Sequence, residues 1–513
     1  MQLAEVVETS RQVAETRSRL EKTDRLAALL RRLPPPLVSV GVSYLAGDLP
    51  QGRLGVGYAL LGRLRGGGVA PAPQSSLGLA EIDATFTAVK DARGAGSAAR
   101  RNDLLGQLFG RATSEEQDFL TRLIIGELRH GALEGIMVDA VARAFAAPPP
   151  EVRRATMLAG SLPVVAAALA QEGAAALARF ELRLFQPVQP MLADSADDVS
   201  AAWDRLGEAA YDFKLDGARV QVHKDGDQVT VFSRLLNDVT PAVPELVELV
   251  SRLPARRLIL DGEAIALSRA GRPLPFQTTM RRFGRRLQVD RLRVELPLDV
   301  RFFDVLRVDD QILLDRPLQE RWDALTAATA PVDAVVPHIV AATPEQADAF
   351  LARAFAEGHE GVMAKSLSAP YSAGRRGQEW LKIKAAHTLD LVVLAAEWGS
   401  GRRQGWLSNL HLGARDPDEG GYVMLGKTFK GMTDETLAWQ TQALLARELG
   451  RDGAVVHVRP ELVAEIAFND VQVSRQYPGG VALRFARVKR YRPDKTAADA
   501  NTIADVRALL PAP

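Results

Sequence analysis

The chain has no cysteine in its 513 residues. Disulfides, thiol nucleophiles and cysteine-ligated zinc are therefore excluded. Long apolar runs are missing as well. The most apolar segment, Met157 to Ala170, is too short to span a bilayer, contains Pro163 and gives way to Gln171-Glu172. The first residues, MQLAEVVETSRQVAETRSRLEK, are charged from the outset and carry no apolar core of a secretory signal. These absences read as a cytoplasmic protein with no membrane attachment. Net charge is nearly absent too, at +1, so bulk electrostatics does not announce a polyanion partner.

Lysine is the most informative scarcity. Only eleven of the 64 basic residues are lysines, and the other 53 are arginines. Arginine stays protonated at any ordinary pH, whereas a lysine amine can be tuned and deprotonated. The positions that remain lysine are candidates for work that arginine cannot do. Six of the eleven fall in four short segments: Lys214, Lys365, Lys382 with Lys384, and Lys489 with Lys495.

What is present describes an ordinary globular protein, 47% hydrophobic and 25% charged, with sizeable cores. Its length suggests about three domains. Residues 1–185 read as helical, in Ala/Leu/Arg-rich runs of helical period such as DRLAALLRRL, EEQDFLTRLIIGELRHGA and GIMVDAVARAFAAPPP. From Gln186 to about 385 the texture becomes mixed α and β, with β-branched runs (VQVHKDG, QVTVFSR, RLILDGEAIAL) between helical patterns. Residues 386–513 hold short strand-like runs at regular spacing and one helical insert, ETLAWQTQALLAREL, the pattern of a small barrel. The fold expected is a multi-domain α+β chain with an all-helical N-terminal domain, a mixed α/β middle domain and a C-terminal β-barrel.

The stretch YDFKLDGARVQVH, from Tyr211, alternates apolar residues with Asp212, Lys214 and Asp216, a strand pattern that sets the charges on one face. Asp216-Gly217 predicts a tight turn into a second strand. Two nucleotide-binding patterns elsewhere are decoys. Gly421 to Thr428 fits the P-loop consensus, but its Tyr-Val-Met-Leu interior is strand material and the next helix opens only near Thr433-Asp434. GVGYALLG at Gly55 lacks the strand that a dinucleotide site requires.

An ordered series surrounds Lys214: Arg219 in KLDGAR, Arg234 in VFSR, Glu263 in LDGEAIA, Phe303 in RFFDVL, Glu360 and Lys365 in EGVMAK, and Lys382 with Lys384 in EWLKIK. Each member alone also fits a surface or core position. As a set, the series resembles the nucleotidyltransferase motifs of ATP-dependent DNA ligases. LRFARVKRYRPDK resembles that family's closing motif, while GELRHGALEG and QPVQPMLA resemble its helical DNA-binding domain and junction.

The resemblance implies an adenylation domain over 186–385, an OB-fold over 386–513 and a helical DNA-binding domain over 1–185. It implies that AMP passes from ATP to Lys214, then to a DNA 5′-phosphate, before the 3′-hydroxyl closes the nick. Lys382 and Lys384 would offset the aspartates beside Lys214 and stabilise phosphoryl charge. Glu263 and Glu360 would serve Mg²⁺ or Mn²⁺, with Glu263 also near the ribose. Phe303 and Met363 would sandwich adenine, and Asp212 stands where the family usually has Glu. Arg219, Arg234 and Arg376 would bind ribose and phosphates; Leu235 replaces a frequent Asn. Arg492 and Lys495 would close over the β- and γ-phosphates. The partner implied is nicked duplex DNA bound by a monomer, with a sliding clamp or repair proteins as candidate associates. The alternatives are an RNA ligase or capping-type nucleotidyltransferase, a non-catalytic DNA-binding scaffold, and a P-loop ATPase using Lys427. NAD-dependent ligases typically carry a cysteine zinc site, which this chain cannot form.

Overall fold

The computed structural model describes the chain except residues 65–67, 129, 132–133, 269–270, 275, 284–288, 374–375, 385–386, 401–402 and 511–513, and except the side chains of residues 59, 134, 277 and 376–378. It divides into two compact units. One comprises Met1–Phe350 and Met363–Lys382; the other comprises Leu351–Val362 and Ile383–Pro513.

The first unit opens with helices. DRLAALLRRL lies in helix Arg19–Arg32, capped by the Ser18 hydroxyl, which accepts from the Glu21 amide. Thr113 and Glu116 cap each other at the start of helix Ser114–Ile125. That helix stops sooner than the GELRHGA pattern predicts, because Gly126 adopts φ 73° and terminates it. The apolar stretch Met157 to Ala170 is likewise cut in two, since helix Pro149–Ala159 ends at Gly160 (φ 69°) and a new helix, Leu162–Glu172, follows. Among the described residues no helix is long and apolar enough to cross a membrane. Leu26, Tyr44, Phe86 and Phe109 belong to the core these helices share.

Two five-stranded sheets follow. The first has the order β1-β10-β9-β2-β8: β1 is Leu192–Ser195, β2 Ala209–Lys214, β8 His338–Ala341, β9 Gly361–Lys365 and β10 Arg376–Lys384. The parts of β9 from Met363 and of β10 to Lys382 belong to this unit. The second is antiparallel, in the order β4-β3-β5-β6-β7: β3 is Ala218–Asp225, β4 Gln228–Ser233, β5 Arg257–Ala266, β6 Leu298–Val308 and β7 Gln311–Ile312. Its Val220, Val222, Leu260 and Phe302 share a core with Leu246, Trp322 and Leu325.

The turn and second strand expected at Asp216-Gly217 are present. β2 and β3 do not pair with each other; β2 lies in the first sheet and β3 in the second. The turn is a switch between sheets rather than a hairpin. Its glycine is required by space: a Cβ on Gly217 would lie 2.3 Å from the Ala264 carbonyl oxygen and 2.9 Å from Glu263 Cγ. β2 is also buried on both faces up to Lys214, which explains why its apolar alternation is dense for a strand expected to be half-solvated.

The second unit holds a seven-stranded sheet. Its order is β13-β12-β11-β15-β14, with β16 joined to β11 and β19 to β16. β11 is His387–Trp398, β12 Leu407–Arg415, β13 Tyr422–Thr428, β14 Glu448–Asp452, β15 Val455–Val458, β16 Val463–Phe468 and β19 Arg487–Tyr491; the pair β17 Asp470–Val473 and β18 Val481–Arg484 stands apart. Leu391, Leu410, Leu412, Ile466 and Val488 fill its core with Leu437 and Leu444 of helix Asp434–Leu445, the predicted insert. The architecture is the expected one: a helical N-terminal region, a mixed α/β middle region and a C-terminal β-rich region.

Candidate active site

A cavity of about 520 Å³ opens in the first unit, a size ordinary for a small-molecule site. Asp212, Lys214, Arg219, Arg234, Glu263, Phe303, Met363 and Lys382 all line it. These residues arrive on β2, β3, β5, β6, β9 and β10 and just beyond β4, so the switch between sheets gathers the series at one place. Lys214 is the last residue of β2 and is only partly covered, while the rest of its strand is buried. A strand anchored on both faces holds the lysine at the rim with little freedom.

At the inner end, Asp212 and Lys365 are almost wholly buried and their charged atoms are 2.5 Å apart. The ammonium also lies 4.7 Å from the centre of the Phe303 ring and 4.3 Å from that of Trp380, a cation–π cage. Burial raises the Asp212 carboxyl above its ordinary range, and Lys365 opposes the shift. Among the described residues the second carboxylate oxygen, Oδ1, has no hydrogen-bond partner. The indole nitrogen of Trp380 is buried without one too, and both residues line the cavity. The inner wall thus offers an unused acceptor, an unused donor and aromatic surface.

Arg219 is gripped rather than free. Its Nε and Nη2 donate to the two oxygens of Asp261 at 3.0 and 2.6 Å, and its Nη1 donates to the Met191 carbonyl at 2.6 Å. Tyr371 donates to Asp261 at 2.7 Å. This holds the guanidinium 5.3 Å from the centre of the Phe303 ring. Bidentate pairing fixes orientation as well as charge. Asp261, Tyr371 and Trp380 escaped the motif reading. The signal was present: Asp261 shares a strand face with Glu263, and Trp380 with Lys382.

Glu263 sits directly opposite Arg219 in the β3–β5 register. Burial raises its carboxyl to about 7, against the opposing charges of Lys214 and Arg219, while Asp261 and Asp216 add to the rise. A carboxyl so poorly compensated suits a cation brought by the substrate. Among the described residues no three histidine or carboxylate side chains converge on one point. One carboxylate completed by phosphate oxygens is the manner in which Mg²⁺ is commonly held. Glu263 fits that role.

The remaining candidates lie elsewhere. Glu360 and Lys384 belong to the second unit, where they form an ion pair with each other. The Arg376 side chain lies outside the described residues; its backbone pairs with Leu192 at the start of β10. Arg492 and Lys495, also in the second unit, both reach Asp390, at 3.1 and 2.5 Å. The P-loop pattern is strand β13 as expected, and its Lys427 pairs with Glu397.

Comparison with known proteins agrees with this layout. Family models described as the ATP dependent DNA ligase domain, the ATP dependent DNA ligase C terminal region and the DNA ligase N terminus match residues 190–384, 403–495 and 64–142. A protein of Anaeromyxobacter sp. (strain Fw109-5) described as "Probable DNA ligase" is 61% identical over 511 residues, covering 99% of this chain and 98% of that protein. One of Sorangium cellulosum (strain So ce56), with the same description, is 56% identical over 509 residues, covering 99% and 95%. A solved structure titled "Pmar-Lig_PreS3" superposes with a TM-score of 0.63 at 19% identity over 95% of this chain and 99% of that one, a likeness of fold.

Proposed function

The chain belongs to the ATP-dependent DNA ligase family, and from that premise we propose that it seals nicks in duplex DNA through a covalent lysyl-AMP on Lys214. The observation that carries the assignment is Lys214 itself, a rim lysine held by a buried strand over a cavity whose far wall is aromatic.

The unprotonated Lys214 amine attacks the α-phosphorus of ATP; a nitrogen–phosphorus bond forms and pyrophosphate leaves. An oxygen of the DNA 5′-phosphate then takes the AMP, and the lysine is freed. Attack by the 3′-hydroxyl forms the phosphodiester and releases AMP. Phe303 and Met363 bound the adenine slot, and the unpaired Asp212 Oδ1 suits acceptance from the adenine 6-amino group. Lys382, Arg234 and Arg376 meet ribose and phosphates, while Arg219, tethered to Asp261, orients the nucleotide. Lys384, Arg492 and Lys495 supply further phosphate contacts. A divalent cation, Mg²⁺ or Mn²⁺, would be held by Glu263 with a contribution from Glu360, and supplies charge neutralisation at the triphosphate.

The domain limits follow as 1–185, 186–385 and 386–513, with the helical part gripping the duplex through its backbone. Binding is then salt-dependent and indifferent to sequence. Nick closure in replication, repair or recombination is the setting, by a monomer with a sliding clamp or repair protein as a candidate associate. The test is a gel assay of nick sealing by two variants. Lys214→Ala abolishes sealing and Lys427→Ala leaves it intact; the reverse pattern would return the P-loop reading.

A further inference from the structure

The basic run Ala482 to Lys495 is not a free cationic strip. On the sheet beneath it, Asp390 of β11 and Glu465 of β16 are direct cross-strand partners, 9% and 8% exposed. Like charges facing each other across a sheet repel, and burial aggravates the repulsion. Four cations of the run answer it. Arg490 Nε lies 2.7 Å from Glu465 Oε2 and Lys489 Nζ 3.3 Å from Oε1. Arg492 Nη1 and Lys495 Nζ lie 3.1 and 2.5 Å from Asp390 Oδ2, and Arg492 also reaches to 4.0 Å from Glu465. The Asp390 backbone is pinned from both sides by Asn501, whose Oδ1 accepts from the Asp390 amide at 2.9 Å and whose own amide donates to the Asp390 carbonyl at 2.9 Å. The Asp390 backbone is therefore fixed, while Arg492 is shared between Asp390 and Asp494, whose Oδ2 lies 2.6 Å from its Nη2.

We propose that the Asp390–Glu465 pair is an internal competitor for the triphosphate, a resident double anion that holds Arg492 and Lys495 whenever ATP does not. This rests on the role given above to those two cations. A guanidinium on the γ-phosphate has left Asp390, so nucleotide capture costs the uncovering of Asp390 beside Glu465, which keeps Arg490 and Lys489. Apparent affinity falls by the fraction of molecules whose cations are free. The same preference acts in reverse after the chemistry, when the pair reclaims both cations from pyrophosphate and disfavours its rebinding. The pair positions phosphate-binding residues without touching substrate.

The test is formation of the lysyl-AMP adduct against ATP concentration in the full chain with Mg²⁺, for wild type, Asp390→Asn and Glu465→Gln. The concentration giving half-maximal adduct should fall by about five- to tenfold in Asp390→Asn and less in Glu465→Gln, at the low end of coupling between linked sites. The pyrophosphate concentration that strips the adduct should fall in parallel. Single-turnover sealing by enzyme already adenylated should not improve. A purely structural role predicts instead a lower melting temperature and a lower maximal rate with no fall in half-saturation, and that result in either folded variant overturns the proposal. Arg492→Ala and Lys495→Ala serve as controls. If neither raises half-saturation, the phosphate role of those cations is what fails; if both do and neither carboxylate variant lowers it, the competitor fails alone.

Discussion

Replacing Lys365 by Met removes one half of the most deeply buried ion pair at the site and leaves Asp212 without its cation. Both side chains are about 1–2% exposed, so solvent cannot replace the lost partner. Breaking a buried pair typically costs about 3–5 kcal/mol. A second route to the magnitude is protonation, because a stranded Asp212 can take up a proton. At pH 7 that costs at most about 4 kcal/mol, the roughly three pH units above an ordinary aspartate near 3.9 at about 1.36 kcal/mol each. The two estimates meet at about 3–4 kcal/mol.

The second route also fixes the pH dependence. Without Lys365 the folded carboxyl keeps its proton to a higher pH than the unfolded one does. The variant's stability is then fully present only below about pH 4 and is lost as pH rises toward the raised folded value. The penalty relative to wild type should be small at pH 4.5 and close to full at pH 7.5. Urea unfolding followed by tryptophan fluorescence reads the locality directly, since the Trp380 and Trp322 rings lie 4.3 and 5.9 Å from the Lys365 ammonium. A penalty below about 1 kcal/mol, or one of equal size at both pH values, would refute the reasoning and make Lys365 a packing residue.

Gly217→Ala should cost about 1–3 kcal/mol through overpacking, because the added Cβ meets the Ala264 carbonyl at 2.3 Å; thermal melting checks the cost, and the same variant should form lysyl-AMP more slowly as Glu263 is displaced. Glu263 is neutral below and charged above about pH 7, so adduct formation should rise with pH through that range. More Mg²⁺ should move the midpoint lower, and Glu263→Gln should remove that limb of the profile. An unchanged limb in the variant would assign the titration to another group.

Much of the molecule was legible in the residues themselves. Helical period, strand runs and the Thr433-led insert marked three regions correctly, and seven of the series, Lys214 included, do line one cavity. What stayed illegible shares a physical cause. Asp216-Gly217 is as good a signal for a passage between sheets as for a hairpin, because close packing against β5 demands a glycine just as a reversed backbone does. Asp261, Tyr371 and Trp380 matter through partners distant in sequence. The Asp390–Glu465 pair exists only once β11 and β16 lie side by side, so LRFARVKRYRPDK shows its cations and not the carboxylates that hold them.

The central claim, a covalent AMP on Lys214, is tested most directly by intact mass after incubation with ATP and Mg²⁺ in the absence of DNA, with peptide mapping of the product. The enzyme should first be stripped with pyrophosphate, so that adduct carried through purification does not mask the reaction. The account predicts one AMP per chain, on the peptide containing Lys214, discharged when nicked duplex is added and the nick is sealed. An AMP mapped to any other lysine, or no adduct from stripped enzyme that still seals nicks, would contradict it.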